Sequence, residues 1–223
     1  MGLVTKYKTF LVISILLLLI IGIIIIVHRK KKNKENEPVL LDHAIDIRPL
    51  VIRCKCPSPN GIQFAYSFWI FMDNISGSEN WKQNYYTDRN IIKKGNTPSL
   101  YYDPETNVYK IGVLTKMTKE KVEVFEVDNV DLQRWNHWII SFHNRNVDLF
   151  INGHLIHSFV TTNVPILTND PIIIGSTKAK VNGKISYIRY FNSSIDKAKA
   201  RKLYEENKHD NVPHPSPFLG LFS

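Results

Sequence analysis

Three carboxylates lie within six residues of one another, at Glu126, Asp128 and Asp131. Side chains two residues apart in a strand share a face, so Glu126 and Asp128 are placed to act together. A retaining glycoside hydrolase needs two carboxyl groups about 5 Å apart, one as the nucleophile and one as the proton donor. Asp131 is one methylene group shorter than a glutamate, which weakens the pattern. These residues therefore raise glycoside hydrolysis as one candidate function.

Calcium is bound by carboxylate and carbonyl oxygens, and four aspartates are candidates to supply them. They are Asp73, Asp103, Asp128 and Asp170. No spacing in the sequence groups them into one site. Aspartate is common in turns because its side chain bonds the nearby backbone, so we interpret these residues as turn-forming. We expect no cofactor and no metal site, with calcium as the single candidate.

Four histidines raise metal binding or acid–base catalysis, namely His137, His143, His154 and His157. His154 and His157 differ by three positions on a predicted hairpin strand, so we expect them to face opposite sides. His137 stands between Trp135 and Trp138 at the entry to a strand. Because no serine–histidine–aspartate or cysteine–histidine arrangement can be derived, we predict structural roles for all four and no enzyme activity.

Aromatic residues in a polar stretch are the best candidates for contact with a ligand or partner. Trp81, Tyr85 and Tyr86 lie within residues 77–88, which we interpret as a loop. Aromatic rings on a loop can stack on sugar faces or anchor a protein interface. They can equally close one end of a β-sandwich, and the sequence leaves both interpretations open.

Cys54 and Cys56 are the two cysteines of the chain. Side chains at this spacing in an extended segment point to the same face, and a bridge between them would be strained. Without neighbouring histidines or further cysteines the pair is a weak metal signal. We predict free, reduced thiols.

Short apolar runs separated by turn residues dominate the chain from residue 39 onwards. Asn152-Gly153 between two alternating runs predicts a tight hairpin. Residues 193–196 match a capping box and predict one helix that ends at Glu206. Together these signals indicate an all-β, two-sheet antiparallel jelly-roll sandwich that ends in one short helix. The predicted strands are residues 64–72, 91–94, 99–102, 108–114, 121–127, 138–143, 147–151, 154–159, 172–174 and 184–191.

The N-terminal part has a different character. Residues 10–27 form an uncharged apolar run of eighteen residues. As a helix this run would span about 27 Å, which predicts a transmembrane anchor. A cleaved signal peptide is the alternative. However, the run is longer than the apolar region of a usual signal peptide, and basic residues stand where a cleavage site would be. We therefore predict a single-pass membrane protein.

The net charge of +9 is concentrated after the apolar run. The basic residues there are Arg29, Lys30, Lys31, Lys32 and Lys34. By the positive-inside rule they place the C-terminal domain on the cytosolic face, where the sequons at Asn74 and Asn192 would receive no glycan. We interpret the cluster as a flank that contacts the lipid bilayer and not as a nucleic-acid-binding surface.

The predicted segments are a flank (1–9), an anchor (10–27), a basic linker (28–38), a β domain (39–207) and a proline-rich tail (208–223). Phe218 and Phe222 lie in the tail sequence FLGLF. They would form an exposed apolar patch unless they dock on a partner. We therefore predict that they contact a neighbouring protein.

Seven motifs stand in a recognisable order between residues 46 and 207. They are YSFWI at 66–70, IIKKG at 91–95, LYYDP at 100–104, WNHW at 135–138, VDLFING at 147–153, IG at 174–175 and GKISYIRYF at 183–191. Together they resemble the laminin-G-like, concanavalin A-like lectin/glucanase superfamily. The resemblance implies a two-sheet jelly roll. It also places residues 126–131 at a strand end and turn, whereas glucanases of the superfamily carry their catalytic acids along one strand.

This version of the domain has a DPETN turn at 103–107 and a YFN run at 190–192 before the final helix. With these features it looks like modules carried by large double-stranded DNA viruses, in which anchored proteins lie between the inner membrane and the capsid. This resemblance implies a minor virion component whose jelly-roll domain binds capsid or scaffold proteins. We therefore predict a non-enzymatic, membrane-anchored binding or structural protein. A surface lectin that binds carbohydrate is the alternative, and a glycoside hydrolase comes third.

Overall fold

The computed structural model describes residues 15–28, 37–54, 56, 59, 61–73, 89–103, 106–116, 120–177 and 180–208. The chain divides into two units, residues 1–38 and residues 39–223.

The first unit contains one described helix, α1, over residues 15–28. Among the described residues, no helix has the length and apolar content to span a membrane. The predicted single-pass anchor over residues 10–27 is therefore wrong, as are the membrane localisation and cytosolic orientation that we derived from it. Residues 10–14 and the basic residues of the predicted flank lie outside the described residues.

The second unit is built from two antiparallel sheets. Within the described residues the first sheet has seven strands, in the spatial order β1 (Val39–Leu41), β13 (Gly183–Phe191), β4 (Gln63–Met72), β9 (Trp135–His143), β10 (Asn146–Ile151) and β11 (His154–Val160), with β2 (Ile45–Asp46) also beside β13. The second sheet has six, in the order β3 (Leu50–Ile52), β12 (Ile172–Ile174), β5 (Asn90–Lys94), β6 (Ser99–Asp103), β7 (Val108–Lys116) and β8 (Glu120–Val127). The predicted all-β fold with two antiparallel sheets is confirmed.

The main core lies between the sheets and follows from strict alternation along the central strands. In β4, Phe64, Tyr66, Phe68 and Ile70 point inward and belong to this core. The residues between them point to the opposite, outer face of the seven-stranded sheet. Polar or small side chains on the outer face, such as Ser67, are buried as well. Something must therefore cover this face, and a helix covers part of it.

Helix α2 (Lys197–Asn207) packs on the outer face of the seven-stranded sheet. Its Ala200 and Leu203 join Ile139 and Phe150 in a second, smaller core. The predicted C-terminal helix is confirmed, but its cap differs from the prediction. The side chain of Asp196 accepts the backbone N–H of Lys199 at 2.7 Å and caps the helix. The helix therefore begins three residues later than the capping-box pattern at Ser193 indicated.

The predicted hairpin between β10 and β11 is present, with Asn152 at φ 51° and Gly153 at φ 78°. Positive φ at both central residues is the requirement of a type I′ turn, which Asn-Gly meets at little cost. The prediction of free thiols is wrong, because Cys54 and Cys56 form a disulfide. Their Cα atoms are 5.2 Å apart, within the range that a disulfide spans.

Candidate ligand-binding site

A cleft of about 470 Å³ opens at one end of the sandwich. Its lining residues are Asp46, Ile47, Arg48, Pro49, Asp73, Ser176, Lys180, Val181, Asn182 and Gly183. A second cleft of about 390 Å³ shares Pro49 and Ser176 with the first and continues past Lys93. We call the two together the rim groove. Its walls carry hydroxyl, amide, carboxylate and cationic groups, so it suits a polar ligand.

Two glycines allow the backbone to form the floor of the rim groove. A Cβ atom on Gly175 would lie 2.6 Å from the carbonyl carbon of Arg48, and Gly175 has φ +66°. A Cβ atom on Gly183 would collide with the carbonyl oxygen of Phe71. These close approaches fix where Arg48 and β13 stand relative to each other. Larger residues at either position would displace the groove wall.

The lining of the rim groove carries three cations, Arg48, Lys93 and Lys180, and two carboxylates, Asp46 and Asp73. Asp46 accepts a hydrogen bond from Lys184 Nζ at 2.6 Å, and this bond lowers the pKa of Asp46. The charges of Lys184, Arg48 and Lys180 act in the same direction. Three cations therefore surround one carboxylate that Lys184 already holds. The remaining positive charge at Arg48 and Lys180 is available to an anionic group of a ligand.

A second polar arrangement lies on the outer face of the seven-stranded sheet. Ser186 of β13 stands opposite Trp69 of β4, and Trp69 stands opposite His137 of β9. We call these three residues the donor row. Each is at most 2% exposed, and Tyr204 of α2 lies over it with its ring centre 5.8 Å from that of Trp69.

Three polar atoms of the donor row have no hydrogen-bond partner in the described structure: Ser186 Oγ, Trp69 Nε1 and His137 Nδ1. The other ring nitrogen of His137, Nε2, lies 2.7 Å from Ser67 Oγ. Burial, and then the positive charge of Arg189, lower the pKa of His137 to about 3. The imidazole is therefore neutral at neutral pH.

The serine–histidine contact does not form a catalytic triad among the described residues. In such a triad a carboxylate accepts the Nδ1 hydrogen of the histidine. His137 Nδ1 has no partner, and its neighbour Trp69 stacks at 4.8 Å between ring centres. Ser67 and His137 are therefore hydrogen-bonded, but in the described residues no carboxylate accepts the Nδ1 hydrogen of His137.

The three carboxylates that raised glycoside hydrolysis have different surroundings in the structure. Glu126 lies 3.8 Å from Lys110 on the neighbouring strand, and Asp131 lies 2.9 Å from Arg134. Asp128 is exposed. Two of the three carboxylates are therefore engaged with cations and the third faces solvent, and none of the three lines the rim groove.

The candidate calcium ligands also have different surroundings. Asp73 lines the rim groove, while Asp103 lies 3.6 Å from Lys110. Asp170 lies beside Gly95, where an added Cβ atom would be 2.6 Å from its carboxylate. Within the described ranges, no three histidine, cysteine or acidic residues are arranged to hold a metal ion.

The histidines take different positions. His143 Nδ1 lies 3.4 Å from Ser194 Oγ, and His157 stacks on Phe159. His154 stands opposite Ile151 and His157 opposite Leu149, and both partners are core residues. The expectation that His154 and His157 face opposite sides is therefore wrong. A bulge between Leu149 and Phe150 shifts the alternation by one residue.

The predicted contact residues Trp81, Tyr85, Tyr86, Phe218 and Phe222 lie outside the described residues. Residues 74–88 lie between Asp73, which lines the first cleft, and Asn90, which lines the second. The sequence therefore connects the predicted aromatic segment at both ends to the rim groove. Their role as contacts stays a prediction.

Apart from Asp73, which was a candidate calcium ligand, sequence reasoning missed the residues that line the rim groove. Arg48 and Lys180 are separated by more than a hundred residues, and no local pattern joins them. The available signal was the glycine at each of two strand ends, Gly175 and Gly183. An isolated glycine at a strand often marks a close backbone approach.

A family model described as the concanavalin A-like lectin/glucanase superfamily matches residues 56–200. The chain belongs to this superfamily. The resemblance inferred from the seven motifs is therefore confirmed. A comparison with curated protein sequences found no significant match.

Solved structures with a similar fold include receptor-binding domains of botulinum neurotoxins. The type G receptor-binding domain shares 18% identity at a TM-score of 0.51, over 77% of this chain and 46% of that one. The serotype D binding domain shares 14% sequence identity at a TM-score of 0.54, over 73% of this chain and 42% of that one. The serotype D ligand-binding domain in complex with N-acetylneuraminic acid shares 15% sequence identity at a TM-score of 0.56, over 76% of this chain and 44% of that one. The chain spans less than half of each of these domains, and the likeness is one of fold.

Proposed function

We propose that this superfamily member is a non-enzymatic binding domain that holds an acidic carbohydrate in the rim groove. The observation that carries the proposal is the excess of positive charge around Asp46. Lys184 occupies that carboxylate, while Arg48 and Lys180 line the same cleft. A carboxylate or sulfate group on a ligand would complete the charge balance.

The remaining groups of the rim groove favour a sugar over a simple anion. Asn182 and Ser176 line the groove with amide and hydroxyl groups, and Asp73 lines it with a carboxylate. Such a mixture of donors and acceptors matches the hydroxyl groups of a saccharide, each of which donates and accepts. The second cleft extends the groove past Lys93 and leaves room for more than one sugar unit.

The positions of the acidic residues support binding without hydrolysis. Glu126 and Asp131 are each paired with a cation, and neither lines the rim groove. A hydrolase of this type needs a pair of carboxylates on opposite sides of the scissile bond. Asp46 and Asp73 both line the first cleft, but Asp46 is held by Lys184.

The test is binding of the purified chain to an array that contains neutral, sialylated and sulfated glycans. We expect acidic glycans to bind and their neutral counterparts to fail. Arg48→Gln should weaken the affinity about tenfold, because a charge-assisted hydrogen bond is lost. Lys197→Gln, which removes an exposed charge on α2, is the matched control and should bind normally. Equal binding of neutral and acidic glycans, or equal loss in both variants, would refute the proposal.

A second candidate function, contact with a protein partner, is supported by the edge of the six-stranded sheet. Strand β8 pairs with β7 at eight consecutive positions without a register shift, and it ends the sheet in the described part of the chain. Val122 and Val124 are exposed there. A regular edge strand with apolar side chains is a template for an added strand. The predicted role in a virion would use such a contact, and it stays a prediction.

Peptide selection from a random library separates the two candidates. Peptides that add to β8 should lose affinity for a variant with Val122→Lys and Val124→Lys and keep it for Arg48→Gln. Selected peptides that are indifferent to both valine substitutions would refute binding at this edge.

A further inference from the structure

The donor row contains three buried polar atoms without partners, side by side on one sheet face. Ser186, Trp69 and His137 occupy adjacent positions on β13, β4 and β9. Directly opposed side chains in an antiparallel sheet are about 5 Å apart at Cβ. A buried polar group without a partner costs roughly 1–3 kcal/mol, so three in one row require an explanation.

Each of the three atoms can donate a hydrogen bond when the proton of the neutral His137 ring is placed so that the most hydrogen bonds are satisfied. The indole Nε1 of Trp69 is a donor only. Ser67 Oγ lies 2.7 Å from His137 Nε2 and has no other recorded partner. If the Ser67 hydroxyl donates to Nε2, its hydrogen is satisfied and the proton of the neutral ring lies on Nδ1. The hydroxyl of Ser186 then adds a third donor to Trp69 Nε1 and His137 Nδ1.

The charge of one cation also acts on the donor row. Arg189 stands opposite Ser67, one row from the donor row, and its charge reaches His137. Its guanidinium lies 4.8 Å from the ring centre of Phe191, and Lys199 lies 4.9 Å from the same ring. Buried donors beside a positive charge favour a negative group over a neutral one.

We infer that the donor row of Ser186, Trp69 and His137 binds a small monovalent anion, of which chloride is the simplest example. A water molecule fits the donor row less well, since its two hydrogens need acceptors and the hydroxyl oxygen of Ser186 is the one acceptor among the three atoms. A sugar is excluded by size, because the three side chains are at most 2% exposed. This site is separate from the rim groove and does not depend on the function proposed for it.

The structure supplies an internal control for this inference. Trp138 Nε1 is also buried and also lacks a partner. Its side chain, however, points into the main core between the sheets, where its ring packs 4.9 Å from that of Tyr109. Trp138 therefore reports general effects of salt on a buried indole, while Trp69 reports the donor row.

The experiment is a chloride titration of the full chain at constant ionic strength, with gluconate replaced by chloride. The four tryptophan indole N–H signals are followed in ¹H–¹⁵N spectra. Trp69→Phe, which keeps an aromatic ring and removes the donor, assigns the Trp69 signal. We expect a saturable shift of Trp69 and a constant position of Trp138. No shift of Trp69, or a parallel drift of both signals, would overturn the inference.

A second variant keeps the test decisive if Trp69→Phe does not fold. Ser186→Ala removes one donor and leaves both indoles in place. We expect it to weaken chloride affinity about tenfold, as the loss of a hydrogen bond to a charged group implies. Unchanged affinity would show that the anion does not lie at the donor row. Bromide in place of chloride gives an independent measurement, because anomalous diffraction should locate it beside Trp69 and a peak elsewhere would contradict the site.

Discussion

Ser141 of β9 holds Ile195 through two hydrogen bonds. Its Oγ accepts the backbone N–H of Ile195 at 2.8 Å and donates to the carbonyl oxygen of the same residue at 3.1 Å. Both contacts are buried, and Ile195 directly precedes the cap of α2. One side chain of the sheet therefore satisfies both backbone groups of the residue that leads into the helix.

Replacement of Ser141 by alanine should destabilise the domain by about 1–3 kcal/mol, because the buried N–H and carbonyl of Ile195 lose their partner. The measurement is urea unfolding followed by circular dichroism. Ser158→Ala, at an exposed serine that bonds Asp148, is the control and should change the stability by at most about 0.5 kcal/mol. Equal effects of the two substitutions would show that Ser141 does not anchor the helix.

Gly153 permits α2 to approach the β10–β11 turn. A Cβ atom there would lie 3.2 Å from both the Cα of Arg201 and the Cβ of Tyr204, and φ is +78°. Gly61 has a similar φ of +67° but open space around it. Both Gly→Ala variants should lose about 1–2 kcal/mol to the left-handed backbone, and Gly153→Ala should lose about 1 kcal/mol more through crowding. The difference in urea midpoint measures the packing of α2, and identical losses would contradict it.

The buried His137 predicts a dependence of stability on pH. Burial lowers its pKa to about 3 in the folded state, below the ordinary value near 6.5. Between these values the unfolded chain binds one proton more than the folded chain, so acid favours unfolding. This component should reduce the unfolding free energy by up to about 1.4 kcal/mol for each pH unit below about 6.5, down to about pH 3.

The His137 component is measured by comparing unfolding curves across this pH range with those of His137→Gln, which lacks the titrating ring. His143→Gln removes an exposed histidine and is the control. We expect the pH profile to flatten in the first variant and to persist in the second. If both profiles matched the unsubstituted chain, His137 would not be the group responsible.

Glu123 connects β8 to the segment after β11. It accepts hydrogen bonds from Thr115 Oγ1 at 2.8 Å and from the backbone N–H and hydroxyl of Thr162. Partial burial acts to raise the pKa of Glu123, but these hydrogen bonds outweigh it and the pKa is lowered. The resulting stability is present above the unfolded pKa and is lost as the pH falls through the folded one.

Glu123→Gln should therefore cost about 1–2 kcal/mol at pH 7, and the difference from the unsubstituted chain should shrink below about pH 4.5. Glu120→Gln is the control, because its exposed pair with Lys116 contributes about 0–1 kcal/mol. Thermal unfolding at pH 7 and pH 3 measures both variants. A difference that stays constant over this range would contradict the role of the charged carboxylate.

The elements with strong local signals could be predicted from the sequence. The long strands β4, β9 and β13 follow from dense β-branched and aromatic runs, and the Asn152-Gly153 turn follows from its backbone requirement. The short strands β1, β2 and β3 have too few residues to show periodicity and escaped prediction, whereas the equally short β12 was predicted from three consecutive isoleucines. The capping pattern identified the helix but misplaced its start, because Asp196 was a better-placed cap than Ser193.

By itself, then, the sequence determined the two-sheet class of the β domain, its hairpin and its final helix, since these depend on alternation and turn chemistry within a few residues. Only the tertiary structure decided where the chemistry lies. Arg48 and Lys180 line one cleft, and Ser186 aligns with Trp69 and His137, because strand pairing joins residues that are distant in the chain. Strand register, which depends on the packing of the whole core, is what no local pattern contains.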